Sequence, residues 1–261
     1  DSPDGYGKVS AYLVKPAQAD GALPGVLVVH ENRGLNPHIE DVARRLALAG
    51  YVALAPDGLS SVGGYPGDED AARAKFGTLD QEKLRADFLA AARWLRMREG
   101  GNGKLGATGF CWGGGMVNWL ATHGAALDAA APFYGPAPAL EGVDLTRVKT
   151  ELLLVFAAND ERVNGTWPAY EAALKAAKVS AAGGTCVAVP RGAVSPWAQA
   201  RGSGCCGSCR CDNVATIAKR MLRGIFTCRR ASPSPHAISQ KYRPITVVRP
   251  ASCLSSPKPI T

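Results

Sequence analysis

Apolar positions in this chain fall into short, nearly unbroken runs, separated by stretches in which they recur at helical spacing. GVLVVH (25–30), YVALA (51–55), LGATG (105–109), AAAPFY (129–134) and LLLVFA (152–157) hold apolar or small residues without a polar alternation. That pattern predicts strands covered on both faces, as in a parallel sheet between helices. KVSAYLVK (8–15) alternates loosely and predicts an N-terminal strand. Between the runs, Val42, Leu46 and Leu48 share one side of a helix over Ile39–Ala49, with Gly50 placed to end it. Thr78 and Gln81 have the spacing of a capping box, and the helix they open carries Leu84, Phe88, Ala92 and Leu95 on one stripe. Further helices are predicted over Met116–Ala121 and Trp167–Lys178, and residues 59–70, rich in Ser, Gly and Asp, predict a long surface loop. Strands alternating with helices define the α/β class, with a doubly wound, mostly parallel sheet and helices on both faces.

This order stops near residue 180. From Ala181 onward no period of 2 or 3.6 persists, apart from a helix-like patch at Val214–Leu222. The charge changes at the same point. The tail, 181–261, holds 12 lysines and arginines against one acid, Asp212, whereas the body, 1–180, holds 18 against 21. The net charge of +8 is therefore a property of the tail. Cysteine divides likewise, with Cys111 alone in the body and the other seven beyond it. A body with one thiol is not a disulfide-built secreted domain, and no apolar run is long enough to span a bilayer. We read residues 1–180 as one body, incomplete at its C-terminal end, and 181–261 as a basic Cys/Pro/Ser-rich tail that is not a folded domain. Three origins stay open for the tail. It is an out-of-frame translation of the body's last elements, a metal-binding appendage through Cys205, Cys206, Cys209 and Cys211, or a disordered basic arm touching nucleic acid or membrane surfaces. The first fits the simultaneous change in charge, cysteine and periodicity best. No leader is visible, and a cytoplasmic location is favoured; the chain begins at Asp1 without Met, as a processed or truncated N-terminus would, so export stays open if a leader was removed.

In doubly wound sheets the chemistry gathers at the carboxyl ends of strands. Glu31, Cys111 and Asp160 each follow a predicted strand. Cys111 lies in GFCWGGG, a Gly-x-Cys-x-Gly run between a strand and a helix: a nucleophile elbow with cysteine where serine is usual. The crowded turn needs small neighbours, which Gly109 and Gly113 supply. The following helix start is expected to favour the thiolate. A buried structural cysteine in a tight turn is the plainer reading of the same string. Glu31 is equally readable as a solvated loop carboxylate, Asp160 as a helix cap, and Arg85 as part of a solvated helix face. His123 lies twelve residues beyond Cys111, roughly 18 Å along a helix, too far to serve it as a base.

Taken together, VVHENRG, GFCWGGG, the FYG at Phe133–Gly135 and the strand-then-NDERVN around Asp160 resemble the dienelactone hydrolase (carboxymethylenebutenolidase) family of α/β-hydrolases, over roughly residues 5–180. The resemblance implies hydrolysis of small esters or lactones without a cofactor or metal, by a Cys–His–Asp triad. It makes Cys111 the nucleophile, Asp160 the triad acid and Glu31 the carboxylate that holds and activates the thiol. The backbone N–H groups of Trp112 and Asn32 form the oxyanion hole. Arg33 either binds a substrate carboxylate or braces its loop, and Tyr134 lines the floor of the site. One part of the pattern is missing. Around residues 190–200, where the resemblance places the histidine, the chain reads RGAVSPWAQAR, and the only histidine after Asp160 is His236. The sequence therefore points to an impaired hydrolase acting on a small ester or lactone. Its rival is a non-catalytic pseudoenzyme or basic-tailed binding protein, with nucleic acid the less favoured partner.

Overall fold

The computed structural model describes residues 1–17, 21–186 and 246–248. In chain order the elements are β1 (Ala11–Lys15), β2 (Leu23–Val29), α1 (Pro37–Leu48), β3 (Val52–Pro56), α2 (Glu69–Phe76), α3 (Gln81–Met97), β4 (Gly101–Phe110), α4 (Trp112–Thr122), β5 (Ala129–Phe133), β6 (Glu151–Ala157), α5 (Glu161–Asn164), α6 (Trp167–Ala176), β7 (Ala181–Cys186) and β8 (Thr246–Val248). The strands form one sheet in the order β7-β6-β5-β4-β2-β3-β1-β8. Strands β2 to β7 run parallel, β1 is antiparallel to β3, and β8 is antiparallel to β1.

Side-chain alternation along the strands builds a core on each face. Leu27, Val29, Leu54, Leu105, Ala107, Leu152 and Leu154 point to one side and pack against α3, α4 and α6 through Leu84, Phe88, Leu95, Val117, Leu120 and Leu174. Val26, Val28, Ala53, Ala55, Ala131 and Val155 point to the other and meet Ile39, Val42 and Leu46 of α1. Leu84, Phe88 and Ala92 of α3 are fully buried, as their spacing predicts. The topology also selects a site. From β2 the chain moves to β3 on one side, and from β4 it moves to β5 on the other, so connections diverge between β2 and β4. A crevice opens at the carboxyl ends of strands where connections part in this way.

Three local expectations change. Residues 59–70 are not all loop: Ser60–Val62 forms a 3-10 turn, and α2 begins at Glu69 with Asp68 capping it through the Ala71 N–H at 2.8 Å. Thr78 does not cap α3. Asp80 does, accepting from Glu82 and Lys83, because a carboxylate directly before the first turn outcompetes a hydroxyl two residues earlier. The Thr78 hydroxyl instead donates to the Lys75 carbonyl. Finally, the sheet does not stop at residue 180. Ala181–Cys186 pairs in register with β6 from Leu152 to Ala157, and Thr246–Val248 lies beside β1. The remainder of the tail, including the cysteine cluster, His236 and the 190–200 window, lies outside the described residues.

Candidate active site

Strand β4 delivers Cys111 at the sheet's centre. Its backbone is held at φ 52 and ψ −116, a strained conformation at the turn from strand to helix. Hydrogen bonds lock the turn: the Cys111 N–H donates to the Phe133 carbonyl at 3.0 Å, and the Gly115 N–H donates to the Cys111 carbonyl at 3.1 Å. The glycines on either side are sterically required. A Cβ on Gly109 would stand 2.4 Å from the Gly113 carbonyl oxygen, and one on Gly113 would stand 2.4 Å from that of His30. Cys111 as a residue is half-buried.

The electrostatics around the sulfur bring the sequence candidates together. Burial and the Glu31 carboxylate push the Cys111 thiol above its ordinary value, and Asp160 adds to this. The Trp112 backbone N–H, hydrogen-bonded to the sulfur, and the Arg162 guanidinium pull the other way without prevailing. The expected preference for thiolate is thus corrected. A helix start contributes a local amide and a partial dipole, but desolvation and a neighbouring anion outweigh it. Glu31 is likewise raised, by burial first, with Arg33 opposing and Glu69 reinforcing. Burial, Glu31 and Cys111 together hold the Tyr134 phenol firmly protonated. Glu31 and Asp160 therefore lie within electrostatic range of Cys111, and Tyr134 within range of Glu31 and Cys111.

Each also has a structural duty. The Asp160 carboxylate caps α5 by accepting from the Val163 N–H at 3.1 Å, so the helix-cap reading of Asp160 holds alongside its place near the sulfur. Arg33 is paired with Glu69 at 3.0 Å, and Glu69 also accepts from Asn36 at 3.3 Å, so Arg33 braces the loop after β2. Within that loop the Gly34 N–H donates to the Glu31 carbonyl at 3.2 Å, which forms a tight turn with Asn32 and Arg33 at its centre. Arg85 pairs with Glu82 and lies 5.5 Å over the Trp119 ring, on a solvated face as expected. His123 caps α4 and stacks on Trp119 at 4.5 Å, at the far end of the helix from Cys111. The sequence reading passed over Arg162, which forms no ion pair among the described residues. Its signal was its place two residues after Asp160 in NDERVN. No group of three or more His, Cys, Asp or Glu side chains suited to a metal occurs among the described residues.

A central parallel sheet, a strained turn carrying Cys111 after its middle strand, and helices on both faces make up the α/β-hydrolase fold. Residues 9–182 match the dienelactone hydrolase family, and the chain belongs to that family, a family of hydrolases. It is 72% identical over 72 residues to a protein of Escherichia coli K12 named "Putative hydrolase fragment YghX", covering 28% of this chain and 62% of that one. It is 42% identical over 130 residues to a Salmonella typhi protein named "Putative carboxymethylenebutenolidase", covering 48% of this chain and 47% of the relative. The chain thus spans about half to three fifths of the length of these relatives. Among solved structures, a Klebsiella pneumoniae protein named "Putative Dienelactone Hydrolase" superposes with a TM-score of 0.59 at 31% identity, over 70% of this chain and 82% of the other. The Anabaena variabilis dienelactone hydrolase, at 23% identity and a TM-score of 0.57, shares the fold over 86% of this chain and 95% of its own. No described helix is long and apolar enough to cross a membrane.

Proposed function

We propose that this chain is a hydrolase of small esters or lactones with Cys111 as nucleophile, working slowly because its proton-transfer partner is missing. The observation that carries the reading is Cys111: a half-buried cysteine on a strained turn, with the Trp112 N–H against its sulfur and two carboxylates within electrostatic range. The substrate class follows from the chain's carboxymethylenebutenolidase relatives.

In this reading the resting enzyme carries a neutral thiol beside Glu31. Substrate entry brings the carbonyl oxygen to the Trp112 and Asn32 amides, and Glu31, whose proton affinity is raised, takes the thiol proton. The sulfur then forms a bond to the carbonyl carbon, and the C=O π pair moves onto oxygen. Collapse of the tetrahedral intermediate expels the alkoxide, which takes up a proton, and leaves a thioester on Cys111. Water adds to the thioester, the C–S bond breaks, and the acid departs as the thiol is restored. Tyr134 supports the acyl group from below, and Arg33 holds the Glu31 loop through Glu69.

The slow steps are leaving-group protonation and activation of water, which a triad histidine assists. His30 and His123 are both committed elsewhere. Loss of such assistance costs roughly 10²- to 10⁴-fold in rate. Turnover of p-nitrophenyl acetate by wild type and Cys111→Ala tests the reading. Slow hydrolysis that vanishes in the variant is the expected result. Equal rates in both would remove Cys111 as nucleophile, and brisk Cys111-dependent turnover would remove the impairment.

A further inference from the structure

His30 stands next to Glu31 in VVHENRG, yet the chemistry above leaves its side chain without a task. The ring is 0% exposed. Its Nδ1 lies 2.6 Å from the Glu31 carbonyl oxygen, and its Nε2 accepts from the Gly58 N–H at 2.8 Å. An Nε2 that accepts carries no proton, and an Nδ1 facing a carbonyl must carry one. The two contacts therefore define a single neutral tautomer. Three parts of the site meet at this ring. Through Nδ1 it shares the Glu31 carbonyl with the Gly34 N–H, fixing the turn that presents Glu31 and the Asn32 amide. Through Nε2 it ties that turn to the loop after β3, where a Cβ on Gly58 would come within 2.9 Å of the same nitrogen. Its face stacks on Trp112 at 5.9 Å between centroids and 20° between planes, while Phe76 and Phe88 close around it edge-on. Trp112 in turn supplies the amide that faces the sulfur.

We infer that His30 is a positioning residue: it clamps the Glu31 turn, the β3 loop and Trp112 into one rigid body, and so aligns the oxyanion donors with Cys111. The inference rests on the hydrolase reading for its kinetic consequence, but its geometric content stands without it. Misplacing such donors by about 1 Å costs on the order of 10²-fold in rate.

Two substitutions in the full-length chain separate positioning from mere packing. His30→Phe keeps a ring against Trp112 but offers no partner to Gly58 or Glu31. His30→Gln can return an acceptor to the Gly58 N–H. For p-nitrophenyl acetate, His30→Phe is expected to lower kcat about 100-fold with KM within about twofold, and His30→Gln to recover most of the loss. Either a His30→Phe kcat within about twofold of wild type, or an equally deep loss in a folded His30→Gln, overturns the proposal. If His30→Phe does not fold, the His30→Gln kcat decides alone. Alkylation of Cys111 by iodoacetamide, followed on the Cys111 peptide by mass spectrometry, covers the case in which wild type shows no Cys111-dependent turnover. Its rate should fall in His30→Phe and return in His30→Gln, because the Trp112 amide stabilises the thiolate. Identical alkylation in all three proteins rejects the clamp, whereas absent turnover with altered alkylation rejects only the hydrolase reading.

Discussion

Gly113→Ala tests the elbow through its sterics. Gly113 lies in the first turn of α4. By helix propensity alone, alanine would stabilise that position by up to about 1 kcal/mol. The structure reverses the sign. The added Cβ would stand 2.4 Å from the His30 carbonyl oxygen and 2.5 Å from that of Val29, both main-chain atoms at the end of β2. Neither oxygen can swing aside as a side chain would, so α4 and β2 must separate by about half an ångström in a core packed to crystal-like density. Overpacking of this kind costs about 1–3 kcal/mol, occasionally more. Because both obstructing atoms are main chain the upper end applies, and about 3 kcal/mol less the propensity gain of about 1 leaves an expected net loss of about 2 kcal/mol, or a fall in Tm on the order of 5 °C. Urea unfolding followed by circular dichroism measures it. Gly77→Ala is the control, because its Cβ meets nothing closer than the Ala74 carbonyl at 3.4 Å and its φ is −64°. That variant should stay within about 0.5 kcal/mol of wild type. If Gly113→Ala matched or exceeded wild-type stability, the close approach of α4 to β2, and the steric account of Gly-x-Cys-x-Gly, would be wrong.

Other expectations concern charge and packing. Since the Glu31 anion raises the Cys111 thiol, Glu31→Gln should lower it, so iodoacetamide alkylation at pH 7 quickens while ester turnover falls; slower alkylation would contradict the electrostatic picture. Burial holds His30 below its ordinary value, so the unfolded chain binds the extra proton first. Its contribution to stability is therefore intact above the unfolded value near 6.5 and is lost as pH falls from there toward the folded value, and His30→Gln should flatten that part of the stability curve. Asp128 behaves as a depressed carboxylate, held down by Lys104, the Leu105 N–H and Arg96 against the opposing effect of burial. Its stabilisation is present above its unfolded value and fades as pH falls through the folded one. Asp128→Asn, read by urea titration at neutral pH, should cost about 1–2 kcal/mol after allowance for solvent screening. Phe88→Ala, which empties the fully buried space beneath His30 and Trp112, should cost about 3–5 kcal/mol in the same titration.

The strands were legible because burial on both faces leaves an unmistakable run of apolar residues, as in GVLVVH and LLLVFA. The stripe of α3 was legible because one helical face carries its whole core contribution. Helix α2 was not, because only Ala72 and Phe76 of its eight residues are buried, too few to mark an apolar stripe. Strand β7 was hidden for a different reason: AAGGTC carries no pattern of its own, and pairing with β6 alone makes it a strand. Glu31, Cys111 and Asp160 stood out in the sequence because each follows an apolar run, and in the fold each does follow a strand. The sequence misjudged the protonation of Cys111, because desolvation depends on atoms brought in from β2 and β6. The role of His30 was equally invisible. A histidine before a loop reads the same whether its nitrogens face water or, as here, the main chain of two neighbouring loops.

The nucleophile can be seen directly. Mass spectrometry of the chain quenched in acid during reaction with p-nitrophenyl acetate should find one acetyl group on the peptide that carries Cys111, and none there in Cys111→Ala. An unmodified Cys111 in wild type, with hydrolysis undiminished in the variant, would contradict the account.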